Sequence, residues 1–264
     1  MTDYIQEVIS ENITTDTTFK KGYQYIIANS VFVNAKVTIE NGSLISILND
    51  EFLSNSLNIS NFGKVVGDEV LINSVKQEGD EYVVTNFANN NGLQITGTAP
   101  QNTLPNYKYL DTCKKSQSKC EPAFLKINKL TLDNIGGLNL TQVLSYEVDI
   151  SSLTFRITSD QFEFENIISS YTSESLNLKE LVLYTTNSGV QWFYNAPFSV
   201  ACNVNISGGG AISGLGIRNG AKASIKLDYL QSTIYPESSN LYVDTLNVPY
   251  YKNVVVNKKT IFYN

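Results

Sequence analysis

The chain has 264 residues, 17% of them charged, with a formal net charge of −6 and no histidine. That balance excludes the basic face of a nucleic-acid binder, and the missing imidazole excludes His-based acid–base catalysis and His-ligated metals. Only Arg156 and Arg218 supply guanidinium forks, and no apolar run approaches the roughly 18 residues of a membrane span. Cysteine usage adds little chemistry. Cys113, Cys120 and Cys202 are an odd, low count for a chain this long, unlike a disulfide scaffold. Cys113 and Cys120 are close enough to staple the Lys114, Lys115, Lys119 segment between them, or they remain free surface thiols. No cofactor or metal is expected.

Residues 1–12 read as a leader or cap, with one amphipathic turn over Ile5–Ile9, and lack the basic-then-apolar layout of a signal peptide. Short strands follow: Ile13-Thr-Thr15, Tyr23–Ile27, Val31–Val33, Val37–Ile39 and Leu44–Leu48, with Asn41-Gly42 as a turn. Leu57–Ile59, Lys64–Val66, Val70–Ile72, Tyr82–Val84 and Leu93–Ile95 continue the series. Gly67-Asp-Glu and Glu78-Gly-Asp-Glu81 put acidic residues at turns, either as solvated corners or as a Ca²⁺ site. Residues 97–122, with Pro100, Pro105 and Pro122, break the pattern as a lateral loop.

One pattern then recurs four times. Leu125-Lys-Ile127-Asn-Lys-Leu130-Thr-Leu132 is followed by Val148-Asp-Ile150-Ser-Ser-Leu153-Thr-Phe155 and by Leu176-Asn-Leu178-Lys-Glu-Leu181-Val-Leu183; Val204-Asn-Ile206-Ser-Gly is a degenerate fourth copy. Alternation with period two means a strand with one buried face, and starts 23, 28 and 28 residues apart signal a solenoid. Leu130, Leu153 and Leu181 should stack in one column, and Ile127, Ile150, Leu178 and Ile206 in another. The glycine-dense run 208–220 reads as tight corners rather than a phosphate loop. A wall strand with Ala223, Ile225 and Leu227 in phase comes next, then a tyrosine-rich tail, 228–264, that closes the stack. The expected fold is all-β: a single-stranded right-handed parallel β-helix over 13–227, with a lateral loop and a C-terminal cap or partner-contact tail.

The order Thr14-Thr-Asp-Thr-Thr-Phe, Tyr25-Ile-Ile, Val31-Phe-Val, Val37-Thr-Ile-Glu-Asn-Gly resembles the opening of right-handed parallel β-helix (pectate-lyase-like) proteins. Downstream, Gly92-Leu-Gln-Ile-Thr-Gly, Leu130-Thr-Leu, Ser145-Tyr-Glu-Val-Asp-Ile and Asn177-Leu-Lys-Glu-Leu resemble β-helix proteins of giant DNA viruses of the mimivirus type. The resemblance implies handedness, a place in a virion or on a surface, and virion or surface proteins as partners, with homo-oligomerisation open.

Three functions compete. A polysaccharide-degrading enzyme would need a basic residue beside carboxylates; Arg218 has no acidic cluster near it in sequence, and Glu163 and Glu165 alternate with Phe162 and Phe164 onto a solvated wall. A carbohydrate-binding module would use exposed aromatics, and Val190-Gln-Trp-Phe-Tyr sets Trp192 and Tyr194 on one face, with core packing the preferred place for Trp192. A non-enzymatic structural or surface protein is preferred, with Trp192, Tyr194, Tyr250 and Tyr251 as candidate partner or glycan contacts. Five N-x-[ST] sequons, at Asn12, Asn41, Asn58, Asn139 and Asn205, are expected mostly by coincidence in an Asn- and Ser-rich chain.

Overall fold

The computed structural model describes residues 4–50, 53–60, 62–96, 123–141, 148–159, 167–170, 177–187, 189–192, 198–200, 202–208, 211–213, 215–217, 223–227 and 233–235. Among them every regular element is a strand. They are β1 (Ile5–Ile9), β2 (Thr17–Phe19), β3 (Tyr23–Ile27), β4 (Ser30–Val33), β5 (Lys36–Ile39), β6 (Leu44–Leu48) and β7 (Ser56–Ile59). Next come β8 (Lys64–Glu78), β9 (Glu81–Thr85), β10 (Gly92–Thr96), β11 (Phe124–Asp133), β12 (Leu138–Thr141), β13 (Val148–Ile157) and β14 (Ile168–Ser170). The last are β15 (Asn177–Thr185), β16 (Phe198–Val200), β17 (Asn203–Gly208), β18 (Ala211–Ser213), β19 (Leu215–Ile217), β20 (Ala223–Leu227) and β21 (Thr233–Tyr235).

The strands form a 12-stranded sheet whose main path runs β1-β3-β6-β8-β11-β13-β15-β17-β20, and a five-stranded sheet ordered β14-β12-β10-β7-β4. From β3 to β15 the chain returns repeatedly to the two sheets, and its pairings are parallel except that of β8 with β9. This all-β parallel architecture is compatible with a β-helix. The pairs β16–β19 and β18–β21 are also parallel.

The repeat explains how one strand turns without ending. In β11, Leu125 and Ile127 are buried, then Asn128 and Lys129 are both exposed, then Leu130 and Leu132 are buried. Two consecutive outward residues reset the alternation, so both apolar pairs still face the core. Asp68-Glu69 in β8, Ser151-Ser152 in β13 and Lys179-Glu180 in β15 occupy the same place. Gly67-Asp-Glu is therefore inside a continuous strand, not at the turn its composition suggested. In the earlier circuit, β5 and β6 do the two jobs as separate strands. The turn between them is Glu40–Ser43, where Gly42 takes φ +86°, a conformation that favours glycine.

Strict register builds continuous core columns. Val70, Leu130, Leu153, Leu181 and Val204 lie rung over rung and are all buried. Tyr25, Ile45, Ile72, Leu132, Phe155, Leu183 and Ile206 form the next column. Ile206 thus sits over Leu183, not over Leu178: the fourth copy matches the second half of the repeat. Its true offset from Leu181 to Val204 is 23 residues. Ile127, Ile150 and Leu178 do stack.

Two further features depart from the sequence reading. Ile5–Ile9 is a strand paired in parallel with β3 rather than an amphipathic turn, because an edge backbone gains a ladder of hydrogen bonds that an isolated turn lacks. β9 runs antiparallel to the end of β8 across Gly79-Asp80. Tyr82 of this hairpin covers a second small cluster of Ile26, Leu48 and Val75 on the outer face of the large sheet.

A buried asparagine knits successive circuits at a corner. Asn90 Nδ2 donates to Asn49 Oδ1 (2.7 Å) and Ser74 Oγ (2.8 Å), while its Oδ1 accepts from Gly92 N (3.0 Å) and Gly136 N (2.9 Å). A Cβ at Gly136 would collide with the Asn90 carbonyl, so glycine is required there by close approach.

Candidate functional site

A shallow groove of about 470 Å³ lies on the outer face of the large sheet. Leu71 and Thr131 point into it, and Tyr4 and Gly42–Leu44 also line it. Its charged rim is Glu69 of β8, Lys129 and Asp133 of β11, and Arg156 of β13. Alternation puts these polar residues outside wherever their neighbours Leu130, Leu132 and Phe155 go inside.

Register then pairs the charges. Glu69 faces Lys129 across the β8–β11 rung, with Nζ 2.5 Å from Oε1. That bond, and then the attraction of the same carboxylate, raises the pKa of the exposed Lys129. Asp133 faces Arg156 across the β11–β13 rung at 4.0 Å. Half burial pushes the Asp133 carboxyl above its ordinary value, and Arg156 only partly offsets this. Asn134, held at φ +51°, donates to Asp133 Oδ1 (3.1 Å) and accepts from Thr158 N (2.7 Å), which fixes the carboxylate. A third pair, Lys126 with Asp149 at 3.9 Å, lies on the same wall. Exposed pairs of this kind contribute little net stability, because solvent and salt screen them. Their side chains can therefore exchange partners at little cost, which suits polar contacts with another surface.

Among the described residues no three His, Cys, Asp or Glu side chains come together as a metal site. Glu78-Gly-Asp-Glu81 is the tip of the β8–β9 hairpin, where Glu78 pairs with Lys76 at 2.6 Å.

The sequence-derived candidates fare differently. Trp192 is fully buried and packs edge-on against Phe155, with centroids 5.6 Å apart and planes at 65°. It is a core residue, as the sequence reading preferred, and not an exposed stacking platform for sugars. Tyr194, Tyr250, Tyr251, Cys113, Cys120, Glu163, Glu165, Arg218, the 97–122 loop and the tail apart from Thr233–Tyr235 lie outside the described residues. Cys202 is buried beneath the large sheet, and burial, with the charge of Glu180, pushes its thiol up to about 12. Of the sequon asparagines, Asn41 is engaged by Asp68 Oδ2 (3.1 Å) and Glu69 N (3.1 Å), and Asn12 accepts from Phe32 N (3.0 Å). Sequence reasoning missed the groove itself. Only the pairing register brings Glu69, Lys129, Asp133 and Arg156 together.

No family model, curated protein or solved structure matches the chain. The likeness to the β-helix proteins of giant DNA viruses stays a likeness of motifs. No helix of the described residues is long and apolar enough to cross a membrane.

Proposed function

We infer that the chain is a right-handed parallel β-helix that acts as a rigid, non-enzymatic scaffold for protein contacts on a large DNA virus particle. The observation that carries the scaffold reading is the nine-strand path of parallel rungs with unbroken interior columns. Each rung is hydrogen-bonded above and below and stacked through apolar side chains, so the wall resists bending and local opening. On its outer face the Glu69, Lys129, Asp133 and Arg156 groove offers re-pairable charges at fixed positions. The handedness and the particle assignment rest on the resemblance of the opening motif. Burial of Trp192 takes away one of the aromatics on which the glycan-binding alternative leaned; Tyr194, Tyr250 and Tyr251 lie outside the described residues.

Quantitative mass spectrometry of purified particles tests the assignment. The scaffold reading expects the chain in stoichiometric amounts that survive a salt wash. Recovery only in the soluble fraction of the producing cell would contradict it.

A further inference from the structure

Among the described residues the large sheet ends at β1, and that end is built differently from the rungs below it. Following the register from β3 through β17, the interior column reads Tyr25, Ile45, Ile72, Leu132, Phe155, Leu183, Ile206, each of them buried. The residue of β1 that stands over Tyr25 in this column is Glu7. Gln6 beside it points the other way, since its Nε2 donates to Gln24 Oε1 (2.9 Å) and to the Tyr82 carbonyl (2.8 Å) on the outer face. Glu7 therefore lies on the core-side face of β1, as alternation requires, although at the end of the stack it is itself exposed. Burial raises the Tyr25 hydroxyl pKa, and the nearby charge of Glu7 adds to the rise, in keeping with a carboxylate on that side. The neighbours two residues away on the same face are Ile5, which is exposed, and Ile9, which packs against the core.

β1 spends one edge on β3. Ile5 N donates to the Gly22 carbonyl and the Ile9 carbonyl accepts from Ala28 N, so the backbone groups of Gln6 and Val8 point to the opposite edge. Among the described residues that edge pairs with no strand. An open edge flanked by exposed Ile5 and Val8 is a template for another chain, and an inward-facing charge is one of the devices that blunts such edges. The two ends of the strand match about its centre, Ile5 and Ile9 each standing two residues from Glu7. Two copies of Ile5-Gln-Glu-Val-Ile9 paired antiparallel about a two-fold axis would set Ile5 opposite the counterpart of Ile9, a favourable apolar match. The same pairing would set Glu7 opposite its own counterpart, where like charges repel.

We propose that Glu7 is a gate on self-association: its carboxylate, ending an otherwise apolar interior column, keeps the open edge of β1 from pairing with β1 of a second copy of this chain. The N-terminal end of the stack is then a deliberate stop, and contacts with partners are made elsewhere on the wall.

Sedimentation equilibrium of the full chain over a hundredfold concentration range tests this. The wild type should hold the monomer mass throughout. Glu7→Val should form a reversible dimer, at least tenfold tighter than any association of Glu11→Val, which adds the same apolar group outside β1. Adding Val8→Pro to Glu7→Val removes an N–H from the open edge without touching the β1–β3 ladder, and should restore the monomer. A native Glu7→Val that stays monomeric overturns the proposal. So does a Glu7→Val dimer indifferent to Val8→Pro, or a wild-type dimer that Val8→Pro dissolves. Should Glu7→Val lose its native circular dichroism, Glu7→Gln carries the test, a Val8→Pro-sensitive dimer supporting the gate and a monomer overturning it.

Discussion

Truncating Leu153 to alanine probes the stacked interior where it is most constrained. The side chain is 1% exposed, between Leu130 on one rung and Leu181 on the next, with Val70 and Val204 beyond them. Three carbons are lost, at about 0.8 kcal/mol each for transfer from water, or ~2.4 kcal/mol. Because parallel rungs above and below fix the backbone, the site relaxes little and a cavity contribution is added, for a total of about 3 kcal/mol within the usual ~2–5 kcal/mol for such truncations. An unfolding entropy of about 2.1 cal/mol/K per residue over 264 residues then lowers Tm by roughly 5 °C. Differential scanning calorimetry reads this directly. Thr154→Ala, next door but on the outer face, should move Tm by less than about 1 °C. A Leu153→Ala midpoint equal to wild type, or a Thr154→Ala loss of the same size, would refute the column register.

Two other outcomes follow from the ionisable groups. Asp133 has a folded pKa raised above its unfolded value, chiefly by desolvation. The protonated form is therefore favoured in the fold, and that stabilisation is complete only below the unfolded pKa, near 3.9, and is lost as pH rises through the folded pKa. Asp133→Asn should accordingly be neutral to stabilising by up to about 1 kcal/mol at pH 7, discounted for its half exposure, with the difference from wild type vanishing towards pH 3; urea unfolding at both pH values checks it. For Cys202, a buried thiol pushed up to about 12 stays protonated at pH 8. Alkylation followed by peptide mass spectrometry should find it unmodified in the native chain and modified in urea; rapid native labelling would contradict the burial.

Much of this fold is legible in the sequence, because a two-residue period survives any packing partner. Leu125 to Leu132 announces its inward positions, and so do Val148 to Phe155 and Tyr23 to Ile27. What period cannot supply is register. Val204-Asn-Ile206 resembles Val148-Asp-Ile150 locally, yet only the neighbouring rung decides that it stacks on Leu181 and Leu183. The β8–β9 hairpin is hidden for a related reason: Glu78-Gly-Asp-Glu81 serves equally as a corner between parallel strands or as a reversal. Trp192 could face either way on alternation, and the space beside Phe155 settles it. The groove was invisible because cross-strand neighbours such as Glu69 and Lys129 are 60 positions apart. Asn90 looked like one asparagine among many, although its two backbone and two side-chain partners tie three circuits together.

The claim on which the rest depends is that these rungs form one rigid, in-register stack. Leu71 and Asn205 are both exposed and belong to the same outer column, joined through Thr131, Thr154 and Val182. Four strand spacings of about 4.8 Å separate their backbones by ~19 Å. Spin labels at Leu71→Cys and Asn205→Cys, with Cys113 and Cys120 replaced by serine and the buried Cys202 left in place, report that separation by pulsed electron resonance. The account predicts a narrow distribution centred near that value plus the label tethers, unchanged from 5 to about 40 °C, below the unfolding range of an ordinary domain. A broad distribution, or a centre beyond about twice the four-rung distance, would contradict it.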